Sequence, residues 1–250
     1  MFSHITHQAS RTNSYLHPMH EPIHEETHLK SSDQIRDIVI GMSDGLTVPF
    51  ALAAGLTGAV VSTGIIVIAG IAEIAAGSIA MGLGGYLAGK TEQDHYNSEL
   101  KREYYEVENL RHKEVEETKE FFANIGLSAE LQEKATEEIA KDKKKWVDFM
   151  MKYELGLEKP DPKRAGKSAL NIGLSYVVGG LVPLSPYFFI SSPAEALKLS
   201  AVITLVCLFV FGFLKSKFTG VNPWWGALRV MLIGAAAASA AFGVAKLFEA

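Results

Sequence analysis

Residues 38–90 constrain this chain more than any other stretch. They form two apolar segments, 38–61 and 64–88, separated only by Ser62 and Thr63. Crossing a bilayer takes about 20 mainly apolar residues, and each segment is long enough. Yet the first contains Asp44 and the second Glu73. A carboxylate at the centre of a membrane helix costs on the order of 3 kcal/mol on insertion scales, so it marks an ion or proton path unless it lies at an interface.

Folding the two segments back at 62–63 puts Asp44 and Met81 at nearly one depth, since each lies equally far from the break. Glu73, nearer the break, lies deeper. Asp37 precedes Asp44 by two turns on the same face, towards the membrane surface, and Pro49 withholds a hydrogen bond from the carbonyl of Gly45. Carboxylates, a thioether and a loosened carbonyl in one column describe a cation pathway. The plainer alternative is that Asp37 and Asp44 are interfacial acids at a helix start, where negative charge suits the dipole; Glu73 has no such explanation.

Three further apolar stretches, about 169–190, 194–214 and 224–248, follow a polar block. The expectation is an all-α, polytopic membrane protein with five transmembrane helices and a three-helix cytosolic insert between the second and third. Its divisions are a His-rich cytosolic tail (1–32), helices 1–2 (33–90), an acidic helical metal-binding insert (91–162) and helices 3–5 (163–250). Lys30, Arg36, Lys90, Lys163, Arg164, Lys167, Lys215 and Lys217 fall on one side, whereas the loops near 62–63 and 184–194 carry no Lys or Arg. Positive charge marks the cytosolic side, so the N-terminus and insert face the cytosol and the C-terminus faces away from it. Gly41-xxx-Gly45 and Gly85-xxx-Gly89 let helix backbones approach closely. Asn222-Pro223-Trp224-Trp225 reads as an N-cap, a first-position proline and an interfacial anchor.

Residues 91–160 hold 18 of the 28 acidic residues against 12 Lys and Arg. Read as one long helix from Glu92 to about Ala123, it places Glu99, Glu103, Glu106, Glu114 and Glu117 within an arc of about 80°. Like charges a turn apart repel, so such a stripe calls for cations. Met150 and Glu154, one turn apart on a later helix over about 142–155, are placed to close on it. Oxygen donors with one soft sulfur suit a divalent transition ion better than Mg²⁺ or Ca²⁺. The plainer alternative is a solvated acidic face neutralised by Lys101, Arg102, Lys113 and Lys143–Lys145.

Six of the eight histidines lie in residues 1–30, and His24-Glu25-Glu26-Thr27-His28 matches H-E-x-x-H. With no third ligand downstream and no soluble domain around it, a weak metal-gathering tail is the reading preferred over a zinc protease. The chain is expected not to be an enzyme, to hold no prosthetic group and to bind no nucleic acid. Cys207, alone and mid-span, reads as a buried hydrophobe.

The run Arg36-Asp37-Ile38-Val39-Ile40-Gly41-Met42-Ser43-Asp44-Gly45-Leu46-Thr47-Val48-Pro49-Phe50 closely resembles the first membrane helix of the vacuolar iron transporter family, and Glu73 to Gly85, with Met81, resembles its second. The resemblance extends from about Asp33 to the C-terminus. It implies a proton-coupled exporter of Fe²⁺ from cytosol to vacuole, a homodimer with the path between the first two helices of both subunits, and translocation residues at Asp44, Glu73 and Met81 with Asp37 near the entrance. It further implies a cytosolic metal site at Glu103, Glu106, Glu114, Glu117, Met150 and Glu154. Mn²⁺, Co²⁺, Ni²⁺ and Zn²⁺ stand as other cargoes, and a membrane-anchored metal buffer or sensor as the alternative function.

Overall fold

The computed structural model describes residues 32–59 and 62–248; the His-rich tail, including His24–His28, lies outside them. Eight α-helices follow in order: α1 (Ser32–Ala59), α2 (Thr63–Asn109), α3 (Arg111–Asn124), α4 (Ala129–Ile139), α5 (Lys143–Phe149), α6 (Arg164–Leu184), α7 (Pro193–Phe218) and α8 (Pro223–Phe248). A π-helical turn, Met150–Glu154, continues α5, and a 3₁₀ turn, Ser185–Phe188, ends α6. No strand occurs among the described residues. Among the described residues five helices are long and apolar enough to cross a membrane: α1, α2, α6 with its 3₁₀ turn, α7 and α8. Their outward faces are apolar, as Ile65, Ile68, Ile79, Leu83 and Leu87 along α2 illustrate, which is the pattern of a surface solvated by hydrocarbon.

Helix α6 lies between α1 and α2, so the two acid-bearing helices do not form the simple antiparallel pair that folding at 62–63 suggests. Small residues allow this wedge. A Cβ added at Gly41 would sit 2.2 Å from the carbonyl oxygen of Ile172, and one at Gly45 would sit 2.4 Å from that of Tyr176. From the other side Gly85 meets Ile172 and Ser168, and Gly89 meets Ala165. Both glycine pairs legible in the sequence therefore press on one partner, α6. Helix α8 closes the bundle against α1, with Ala238 packed on Phe50 and Ala54, while Gly212 of α7 lies against Gly226 and Ala227. The expected cap at the start of α8 is present: the Asn222 carboxamide oxygen accepts from the amides of Trp224 at 3.0 Å and Trp225 at 3.3 Å.

Helix α2 is 47 residues long, about 70 Å at 1.5 Å per residue. The hydrocarbon core needs only about 30 Å, so the helix runs far past Lys90 and carries the insert on its end. There it departs from expectation. The single helix expected from Glu92 to Ala123 is broken at Leu110, whose φ of −122° and ψ of 29° leave the helical region. Arg111 pins the bend by donating to the carbonyl of Ala140 at 3.1 Å and stacking over Trp146 at 4.9 Å. The insert is thus the end of α2 folded onto α3, α4 and α5. Its core is Val107, Trp146, Val147, Met150 and Met151.

Candidate metal path and capture site

The bend at Leu110 makes the acidic cluster. On a straight helix Glu103 and Glu114 would stand about 16 Å apart along the axis. Instead Glu103, Glu106 and Glu114 each bring one carboxylate oxygen within 4.8 Å of the others. The stripe read from the wheel is a knot of acids rather than a ladder. Glu103 and Glu114 are each only 2% exposed, and each keeps one carboxylate oxygen buried without a hydrogen bond. A buried, unpaired carboxylate is among the costlier groups a fold can hold.

Protonation follows from that burial. Both residues lie outside the membrane-spanning part of the chain, Glu103 on the extension of α2 past Lys90. Burial, then repulsion from Glu154 and Glu106, pushes Glu103 up to about 7. Burial, then Glu103 and Glu117, pushes Glu114 up to about 8. Glu154, on the π-helical turn, is also raised, by burial and by Glu117 and Glu106. All five glutamates therefore share one electrostatic environment. Their nearest cation, Arg102, is held at the rim by Glu99 at 3.0 Å and Glu106 at 3.5 Å.

Met150 is fully buried beside them. Thr118 of α3 holds its thioether: the hydroxyl lies 3.4 Å from Met150 Sδ and 2.6 Å from the Glu114 carbonyl, and it accepts the Trp146 indole N–H at 2.8 Å. One hydroxyl proton is thus shared between two acceptors, one of them a weak sulfur acceptor. Oxygen donors with spare lone pairs and a fixed sulfur make a cluster fit for a divalent transition ion.

Within the membrane the acids are dispersed. Asp37 is buried and fully engaged. Arg164 donates to its two oxygens at 2.6 and 3.0 Å, and Ser168 donates at 3.1 Å. Arg164 also reaches Asp33 at 3.4 Å. This cluster and Met81 line one cavity of about 390 Å³, with Glu92 and Ala88. Asp44 is half-buried, outside that lining, and makes no hydrogen bond or ion pair among the described residues. Helix α6 gives the depths: Met81 precedes Gly82, which faces Ala169 and Gly173, while Asp44 adjoins Gly45, which faces Tyr176. Those positions on α6 lie three to seven residues apart, so Asp44 and Met81 differ in depth by about one to two helical turns, more than folding at 62–63 suggests. Glu73 accepts a short hydrogen bond from the Tyr176 hydroxyl, and its other oxygen is buried without a partner.

Four functional neighbours were not singled out from the sequence: Tyr176, Ser168, Thr118 and, as a partner for Asp37, Arg164. A tyrosine within an apolar span was the one local signal available.

Comparison with known proteins comes from the whole sequence. The pattern of the VIT family matches residues 35–246. The chain is similar to vacuolar iron transporter 1 of Tulipa gesneriana, 53% identical over 226 residues that cover 90% of this chain and 92% of that one. It is 50% identical to vacuolar iron transporter 1 of Arabidopsis thaliana, covering 90% of each. With protein CCC1 of Saccharomyces cerevisiae it shares 39% identity, covering 85% of this chain and 68% of that one. The chain belongs to the VIT family.

Proposed function

We propose that the chain moves Fe²⁺ from the cytosol across the vacuolar membrane in exchange for protons. The observation that carries this reading is one helix with two jobs. Helix α2 takes Glu73 and Met81 through the membrane and ends in a carboxylate cluster with two orphaned buried oxygens. The names of the relatives, vacuolar iron transporters of similar length, support the cargo and the compartment.

In this mechanism Glu103, Glu106 and Glu114, with Glu117, Glu154 and Met150, capture the ion at the cytosolic face. Capture displaces protons from the raised carboxylates. The ion enters the cavity bounded by Asp37 and Met81 and passes to Asp44. Glu73, whose proton-bearing neighbour is Tyr176, takes up a proton from the acidic side as the ion leaves. Asp44 sits unpaired on a membrane helix, which is unfavourable against lipid. A second copy facing it across a two-fold axis would pair the Asp44 and Met81 sites, so the transporting unit is a homodimer.

Purified protein in liposomes with an acidic lumen and a trapped Fe²⁺-sensitive dye tests this. Uptake that requires the pH gradient supports exchange. Stoichiometric binding without gradient-dependent uptake would make the chain a membrane-anchored buffer instead. Carboxylate and thioether donors discriminate weakly among divalent ions; if Mn²⁺ outcompetes Fe²⁺ in the same assay, Mn²⁺ is the cargo.

A further inference from the structure

A second cavity lies far from this path. It occupies about 740 Å³ between the last turns of α7 and the first turns of α8, a volume in the range of small-ligand sites. Lys215, Ser216, Asn222, Trp225 and Arg229 line it, with Ile233 among the apolar residues at its base. Gly212 lies against Gly226 and Val230, which sets the register of the two antiparallel helices. Lys215 therefore sits about one turn nearer the membrane surface than Arg229. Both side chains address one space from opposite walls.

Three of the polar side chains there, Lys215, Ser216 and Arg229, are unused, while Asn222 is spent on the cap of α8. Neither Lys215 nor Arg229 has an ion pair or side-chain hydrogen bond among the described residues. Ser216 is 5% exposed, and its hydroxyl likewise has no partner among them. An arginine six residues into a membrane helix, without a counter-ion from the protein, must find one elsewhere or reach back to the interface.

The cavity faces outward. Helix α8 packs on α1 through Ala238 and Phe242. At about 100° per residue, Arg229 and Ile233 fall on the opposite side of α8 from these residues. The opening is therefore directed away from the Asp44-bearing helix, to where lipid lies.

We propose that this cavity is a binding site for an anionic phospholipid. The headgroup phosphate lies between Lys215 and Arg229 and accepts from the Ser216 hydroxyl, while an acyl chain follows the apolar base past Ile233. Charge complementarity selects this occupant: basic pockets between membrane helices on the cytosolic side accept anionic headgroups, and Trp224 and Trp225 place the opening at headgroup level.

The test uses full-length protein in detergent, with binding followed by native mass spectrometry. The probes are dioctanoyl phosphatidic acid, dioctanoyl phosphatidylcholine and glycerol 3-phosphate. The proposal predicts that phosphatidic acid binds at least tenfold more tightly than phosphatidylcholine and that glycerol 3-phosphate does not bind measurably. K215Q/R229Q should lose that preference, and K215R/R229K should keep it. K217Q removes a charge from the same helical turn but outside the cavity lining, and should bind like wild type. Unchanged metal binding by the insert would show that the variants are folded. Equal binding of both lipids, phosphatidic acid binding retained by K215Q/R229Q, or an equal loss in K217Q would overturn the proposal. Glycerol 3-phosphate bound as tightly as phosphatidic acid would make this a soluble-phosphate site instead.

Discussion

Two buried residues show how single side chains set this protein's behaviour. Asp37 has both oxygens occupied by Arg164 and one shared with Ser168. Removing one partner of a buried pair strands the other charge, so R164A should destabilise the protein by about 3–5 kcal/mol. D37N/R164Q, which removes both charges, should recover most of that loss, as read by thermal unfolding in detergent. In the proposed mechanism the pair also bears on transport, because it lines one cavity with Met81. Thr118 is the second case. T118V leaves the Trp146 indole N–H without its acceptor, at a cost of about 1–3 kcal/mol, and frees the Met150 thioether. The expected outcome is a less stable insert with weaker Fe²⁺ binding, measured by metal titration of the full chain. Neither partnership was legible in the sequence. Arg164 follows Asp37 by 127 residues, and Thr118 is 32 residues from the sulfur it supports; no periodicity reports such distances.

Among the elements, the bend at Leu110 and the wedge of α6 decide the outcome. The helical wheel grouped Glu103, Glu106, Glu114 and Glu117 because a shared face is a property of local spacing. It did not give the bend, because no Gly or Pro interrupts residues 90–123. The break is held from outside the helix, by Arg111 against Ala140 and Trp146. Bringing Glu103 and Glu114 together has a consequence for pH. Their values of about 7 and 8 lie above the ordinary glutamate value of 4.5, so the folded insert holds protons that the unfolded chain releases. Its metal-free stability is therefore greatest below about 4.5 and falls as pH rises through 7 to 8. Metal binding runs the other way, strengthening over the same range and releasing protons near pH 7 but few at pH 9. Calorimetry in buffers of different ionisation enthalpy measures that difference. The glycines of α1 offer a packing test. G41A would place a methyl 2.2 Å from a backbone oxygen of α6, whereas nothing lies within 4 Å of a methyl at Gly84. G41A should cost about 1–3 kcal/mol or more and impair uptake, while G84A leaves both unchanged.

At the scale of the molecule, five membrane helices and one folded helix end divide the work. The five apolar stretches were plain in the sequence, since about 20 residues of hydrocarbon-compatible chain carry a strong signal. Their arrangement was not, because α1 and α2 both pack chiefly on α6, a helix that begins at Arg164, well after α2 ends at Asn109. In the proposed mechanism capture and translocation are separate. We assign capture to the carboxylates on either side of Leu110, and passage to Asp44, Met81 and Glu73. Uptake of Fe²⁺ into acidic liposomes by wild type, D44A, and a variant with Glu103, Glu106, Glu114 and Glu117 all changed to Ala tests that claim most directly. D44A should abolish uptake while metal still binds the insert, and the fourfold variant should transport more slowly, with its deficit narrowing at high Fe²⁺. Normal uptake by D44A would contradict this assignment.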